Sequence, residues 1–239
     1  MSRPATVWSR VAGRARRARS AVRDAGSVRM WLLYPPGPGP RFMSGLRKRW
    51  VIFRHPGAHI EFQDDVYLGP RFSLHMPHGG TFIVGQGVEF RRGFRAEFAA
   101  ADTRITIGEG SVFTYDALLQ CTTSIDIGAH CAFGQASLVV DGNHRFRGLD
   151  RPVFEQGYDF RPVVISDHAV IAAKSTVIAA SIGERTYVSA NTLVGRDIPA
   201  FCVVAGIPAR IIEYFGPPGQ GPRIDRARGR AREDPVSRR

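Results

Sequence analysis

The side chains that titrate nearest neutral pH in this chain of 239 residues are three cysteines (Cys121, Cys131, Cys202) and seven histidines (His55, His59, His75, His78, His130, His144, His168). The cysteines make an odd count with no CxxC spacing, so neither a disulfide framework nor a zinc site is expected, and a reducing cytoplasm fits them. His75 and His78, in "HMPHGG", read as a polar turn rather than half a metal site. His144 is different. It stands in "VVDGNHRFRGLDRPVFEQGYDFRPVVI" (139–165), a polar stretch without period that interrupts an otherwise repetitive chain. A neutral imidazole can accept a proton near pH 7 when a donor is within hydrogen-bond reach. Asp141 and Asn143 beside it could hold its tautomer or bind hydroxyls, and "DGN" equally well makes an ordinary turn.

The surroundings must position such a residue, and charge shows where the folded body lies. Net charge is +12, with residues 1–50 carrying 12 Lys and Arg against Asp24 alone, and residues 216–239 carrying 7 against 3. That leaves 14 basic against 17 acidic residues in 51–215, a mildly acidic body between basic tails. A nucleic-acid-binding domain would carry its positive charge on a folded face, so nucleic acid is not an expected partner. The longest apolar run near the start, "MWLLY" (30–34), is too short for a signal-peptide core or a membrane span. The Arg-rich stretch 1–34 suits either a disordered tail or peripheral contact with anionic membrane, and the Pro/Gly run "PPGPGP" (35–40) breaks any helix through it. The expected division is therefore 1–50 basic segment, 51–215 folded domain and 216–239 basic disordered tail, in a cytoplasmic protein that could lie against the inner face of the membrane.

Within the body the apolar residues recur every six positions: Ile107, Phe113, Leu119; Ile127, Phe133, Val139; Ile165, Ile171, Val177; Ile182, Val188, Val194. Six is the period of neither an α-helix nor a strand pair. It fits short strands, each followed by a third of a revolution, so that three hexads of about 18 residues close one triangular coil, with one apolar side chain per hexad pointing inward. Stacked coils about 4.8 Å apart would satisfy each other's backbone. Small residues after the inward positions (Gly108, Gly128, Gly134, Ala172, Gly183, Ser189) would let the chain turn sharply. Leu68, Leu74, Val84 and Phe90 continue the pattern less cleanly toward the N-terminus. Five residues from Val177 to Ile182 make one corner tighter, and "AFCVVAGIPARIIEYF" after Pro199 is expected to finish the last coil and lead into a short covering helix.

Beyond the period, "DGNH" (141–144), "QG" (156–157) with "RPVVI" (161–165), and "RDIPAFCVVAGIPARII" (196–212) occur in an order and spacing that resembles the hexapeptide-repeat acyltransferases. That family has a left-handed parallel β-helix fold and contains maltose-, galactoside- and polysaccharide O-acetyltransferases. The resemblance covers about residues 55–215. It implies an all-β solenoid with an extruded loop, assembled as a homotrimer, with acyl-coenzyme A bound between neighbouring subunits as co-substrate and no metal. It implies that His144 is the general base, with Asn143, Asp141, Thr114 and Asp116 toward a sugar or glycan acceptor. Ala173, Ala190 and Gly195 would fall along the coenzyme, with Arg196 and Arg210 near its phosphates. The pattern departs from the family's at Val170, where a Trp is common, at Thr114, where the galactoside branch has Asn, and at Ile207.

Other proteins with such a coil are zinc carbonic anhydrases, whose ligands include two histidines five apart, a spacing absent here. Sugar-nucleotide transferases place a nucleotide-binding domain before the coil, and residues 1–50 contain no Gly-rich phosphate loop. A non-catalytic scaffold is the remaining alternative, because an isolated histidine is usually structural.

Overall fold

The computed structural model describes residues 38–222 and residue 224. The stretch 1–34 and most of the basic C-terminal tail lie outside the described residues. The chain divides into two compact units, 1–46 and 47–239. One helix, Pro38–Arg54, crosses both the division and the boundary expected at residue 50. Prolines at its start suit the first helical turn, whose N–H groups have no intrahelical acceptor. It stops at His55, ahead of Pro56, where proline disfavours the helical conformation of the residue before it. The His55 imidazole donates from Nδ1 to the Val51 carbonyl (2.8 Å), satisfying one of the carbonyls that a helix end leaves open.

From Ala58 onward the chain deals short strands to three parallel sheets in rotation. The first sheet stacks Ala58–Phe62, Gly80–Val84, Arg104–Ile107, Ser124–Ile127 and Val163–Ile165, continued by single bridges through Ile182 to Ile198. The second runs from Tyr67–Leu68 to Cys202–Ala205, and the third from Ser73–His75 to Leu193–Val194. Register confirms which residues share a column: Ile107 with Ile127 and Ile165, Phe113 with Phe133 and Ile171, Leu119 with Val139 and Val177. All twelve apolar positions of the sixfold pattern are buried, as are Leu68, Leu74, Val84 and Phe90. Phe90, Phe113 and Phe133 stack face to face along one column, at 5.0 and 4.4 Å between ring centroids.

Three features differ from the sequence expectation. The coil takes 20 residues from Ile107 to its partner Ile127, rather than 18, because the corner after the third sheet carries extra residues, Thr122 and Thr123 among them. The small residues are needed for closeness rather than turning: a Cβ on Gly108 would lie 2.5 Å from the backbone of the next coil, and on Gly134 or Gly183 closer still. Turning is done instead at left-handed residues that recur one per corner, such as His130, His168 and Arg185 on one edge and Asp116, Ala136, Lys174 and Asn191 on another. Finally, the segment after Pro199 ends in a strand and not a helix. Cys202–Ala205 turns at Gly206 (φ 97°) and pairs antiparallel with Arg210–Tyr214. The β-branched residues Val203, Val204, Ile211 and Ile212 favour the pleated conformation, and Val204 and Ile211 are buried as a pair.

Candidate active site

The interruption around His144 begins at Asp141. This carboxylate is buried at the end of the strand Leu138–Val140 and accepts the N–H groups of Thr122 (2.9 Å) and Thr123 (2.5 Å) and the Thr123 hydroxyl (2.8 Å). It thereby satisfies the long corner of the preceding coil, where no strand partner is available. The chain then leaves the coil at Gly142, where a Cβ would run into the Phe160 ring. Gly142–His144 pairs antiparallel with Tyr158–Phe160, and the Arg161 N–H donates to the Asp141 carbonyl (2.7 Å), closing the excursion where it began. Within it, the Gln156 amide accepts from the Gly148 N–H (2.8 Å) and donates to the Gly148 and Arg151 carbonyls (3.0 Å each), and Arg145 pairs with Asp159 (2.7 Å).

The His144 ring faces Tyr158, its cross-strand partner, at 4.3 Å between centroids, and meets Phe154 edge-on at 5.4 Å. Its Nδ1 is buried and has no hydrogen-bond partner among the described residues, while its backbone N–H donates to the Asn143 Oδ1 (2.9 Å). The ring lines a cleft of about 720 Å³ between the hairpin and the outer face of the third sheet. One wall of that cleft is a ladder of residues in register, His75, Glu97, Gln120, Val140 and Ile178, and Gln120 Nε2 donates to Glu97 Oε2 (2.8 Å). Arg95 neutralises Glu97 from the same strand face (2.5 Å).

The structure therefore brings His144, Asn143 and Asp141 to one cleft, but it commits the Asp141 carboxylate to the backbone of Thr122 and Thr123. Thr114, Asp116, Ala173 and Ala190 do not line that cleft. They occupy the corner between the second and third sheets, where the N–H of Asn191 bonds the carbonyl of Ala173 and the N–H of Thr114 bonds that of Phe133. The Thr114 hydroxyl is buried there without a partner among the described residues. Gly195 and Arg196 are exposed at the end of the third sheet, and Arg210 is exposed at the start of the last strand, opposite Ala205. Glu97 and Gln120 had no role in the sequence expectation, and His75, expected in a polar turn, ends the strand Ser73–His75; their recurrence at the spacing of the early coils is the signal that places them together.

The buried thiols are poor nucleophiles. Burial, with the Asp141 carboxylate adjacent, pushes Cys121 up strongly, and burial pushes Cys131 up to about 11, so neither holds appreciable thiolate at neutral pH. Among the described residues no group of His, Cys, Asp and Glu is arranged to hold a metal ion.

No protein-family model matches the chain. Among curated proteins it is similar to a probable acetyltransferase of Mycobacterium tuberculosis, 23% identical over 167 residues that make up 69% of this chain and 55% of the relative. The chain thus spans little more than half of that relative's length. It is also similar to the serine acetyltransferase of the same organism, 24% identical over 178 residues, 72% of this chain and 67% of that one. Among solved structures, it overlays the N-acyltransferase AntD of Bacillus cereus, captured with dTDP and 3-hydroxybutyryl-CoA, at a TM-score of 0.57 and 17% identity, over 72% of this chain and 87% of that one. The polysialic acid O-acetyltransferase OatWY overlays at 0.51 and 14% identity, over 66% and 85%. Sequence and backbone agree that this chain is similar to the hexapeptide-repeat acetyltransferases and shares their fold.

Proposed function

We propose that this chain is an acyl-CoA-dependent O-acyltransferase, acting on a hydroxyl of a sugar, glycan or polysaccharide precursor, with His144 as general base. The observation that carries the reading is an imidazole packed against two aromatic rings at the edge of a cleft of about 720 Å³, on a hairpin that coil stacking alone does not require. His144 would take the proton of the acceptor hydroxyl as that oxygen attacks the acyl carbonyl, and return it to the departing thiolate. The bound acyl-coenzyme A would supply the acyl group as its thioester. Cys121, Cys131 and Cys202 take no part, because burial keeps each of them protonated.

The coenzyme would run along the corner that carries Ala173 and Ala190, on toward Gly195, with Arg196 and Arg210 meeting its phosphates as planar donors. That corner suits a long thin ligand: Gly134, Ala173 and Ala190 are small in successive coils, and Thr114 presents a buried hydroxyl without a partner among the described residues. Because the corner and the His144 cleft are lined by different residues, the reading includes a homotrimer in which the hairpin of one left-handed coil faces the corner of the next. Residues 51–215 would form the transferase domain, flanked by the basic segments 1–50 and 216–239.

Calorimetric titration with coenzyme A tests this against a non-catalytic scaffold. Saturable heat that disappears in Ala190→Trp supports the transferase; no heat at any concentration favours the scaffold.

A further inference from the structure

The helix Pro38–Arg54 carries Arg41, Arg47, Lys48, Arg49 and Arg54 and no acidic residue. Its last two turns are fixed to the coil from one side only. Val51 is buried in the core, Arg47 Nη1 donates to the Leu68 carbonyl (2.9 Å), and the Lys48 ammonium sits 5.9 Å from the centre of the Phe62 ring. On the part of this helix that belongs to the second unit, Trp50 and Phe53 are three residues apart, which puts them on one stripe. Both are exposed, Trp50 at 58% and Phe53 at 76%, and Ile52 beside them is exposed too. Trp50 and Phe53 stack at 5.9 Å, with the Arg54 guanidinium 5.9 Å over the Trp50 ring.

An apolar stripe of this kind is costly in water, since monomeric proteins seldom expose contiguous apolar patches without using them. The charge around it selects its occupant. A second copy of the helix would bring two sets of arginine and lysine together, with no carboxylate on the helix to offset them. An anionic lipid surface offers opposite charge to Arg49 and Arg54 and an apolar layer to the stripe, and tryptophan is enriched at that boundary. The sequence ahead of the helix, 1–37, adds eight arginines against one aspartate. We propose that the Trp50–Phe53 face of this helix docks on the surface of anionic bilayers, carrying the coil peripherally on the membrane.

The test is flotation of the full-length chain with vesicles of phosphatidylcholine alone or with phosphatidylglycerol, comparing wild type with the double variants Trp50→Glu/Phe53→Glu and Trp50→Ser/Phe53→Ser. Circular dichroism melting of each confirms folding, which the exposure of both rings should preserve. The expected result is binding that requires phosphatidylglycerol, weakens with salt, and falls at least tenfold in both variants. Three outcomes overturn it: no binding to anionic vesicles; equal binding by wild type and variants, which would assign attachment to residues 1–37; or loss of self-association in the variants, by sedimentation velocity, with no vesicle binding by the wild type.

Discussion

The rings of His144 and Tyr158 lie 4.3 Å apart, centroid to centroid, as opposite residues of a two-stranded hairpin that leaves and re-enters the coil at Asp141. Each ring limits the other's freedom, and Phe154 closes a second side of the imidazole. The side chain offered as a base is thus held by packing rather than by a hydrogen bond.

Tyr158→Ala should therefore lower kcat by about tenfold, since a loosened base spends less time in reacting geometry. Tyr158→Phe should keep most of the rate, because the contact is made by the ring. The melting temperature of either variant should stay near wild type, as Tyr158 is exposed. Equal loss in both variants would mean that the phenol takes part in the chemistry.

Asp141 should behave as a structural residue. Asp141→Ala leaves the Thr122 and Thr123 N–H groups without their acceptor in a half-buried corner, at a cost of about 1–2 kcal/mol. Chemical denaturation measures this. A variant of unchanged stability with raised acceptor KM would instead make Asp141 a substrate ligand.

Gly134 and Gly195 separate closeness from chain flexibility. A Cβ on Gly134 collides with the backbone of Ala172 and Ala173, whereas one on Gly195 meets nothing within 4 Å, and neither position has left-handed φ. Gly134→Ala should destabilise by about 2 kcal/mol or more, within the range for overpacked sites, and Gly195→Ala should be neutral or slightly stabilising. Melting curves of the two variants decide the point.

The pair Arg161–Asp197 joins the end of the hairpin to the corner after Gly195 (2.5 Å), and the Asp197 carboxylate also accepts the Ser181 N–H (2.8 Å). The Arg161 hydrogen bond, followed by that of Ser181, holds this carboxyl below its ordinary value. Its contribution is therefore complete above the usual carboxylate range and is lost as pH falls through the lowered folded-state value. Both side chains are about half exposed, so it should be under about 1 kcal/mol. Asp197→Asn should lose stability at pH 7, and the gap from wild type should narrow as pH falls below the ordinary carboxylate range. A gap independent of pH would mean that the charge is irrelevant.

The coil was readable in the sequence because inward positions admit little but apolar residues: Ile107, Phe113 and Leu119, with their successors, form the columns that the sixfold pattern predicts. The corners were less readable. A left-handed turn can be made at His130, His168 or Lys174 without glycine, so composition does not mark it. "AFCVVAGIPARIIEYF" suggests a last turn of coil and a covering helix, yet Val204 and Ile211 pair as strands and are buried. At the site, the interrupted repeat pointed to His144 and its hairpin. The opposing wall was hidden because His75, Glu97 and Gln120 meet only through a register of 22 and 23 residues, longer than the ideal coil. Thr114 and Ala173 lie on a corner of the coil, outside the cleft that His144 lines.

The most direct measurement is thiol release from acetyl-coenzyme A over a panel of sugars, nucleotide sugars and glycan fragments, comparing wild type with His144→Ala at equal melting temperature. Acceptor-stimulated release should fall by about 100-fold or more in the variant, the scale of a lost general base. Stimulated release at the wild-type rate in His144→Ala would contradict it.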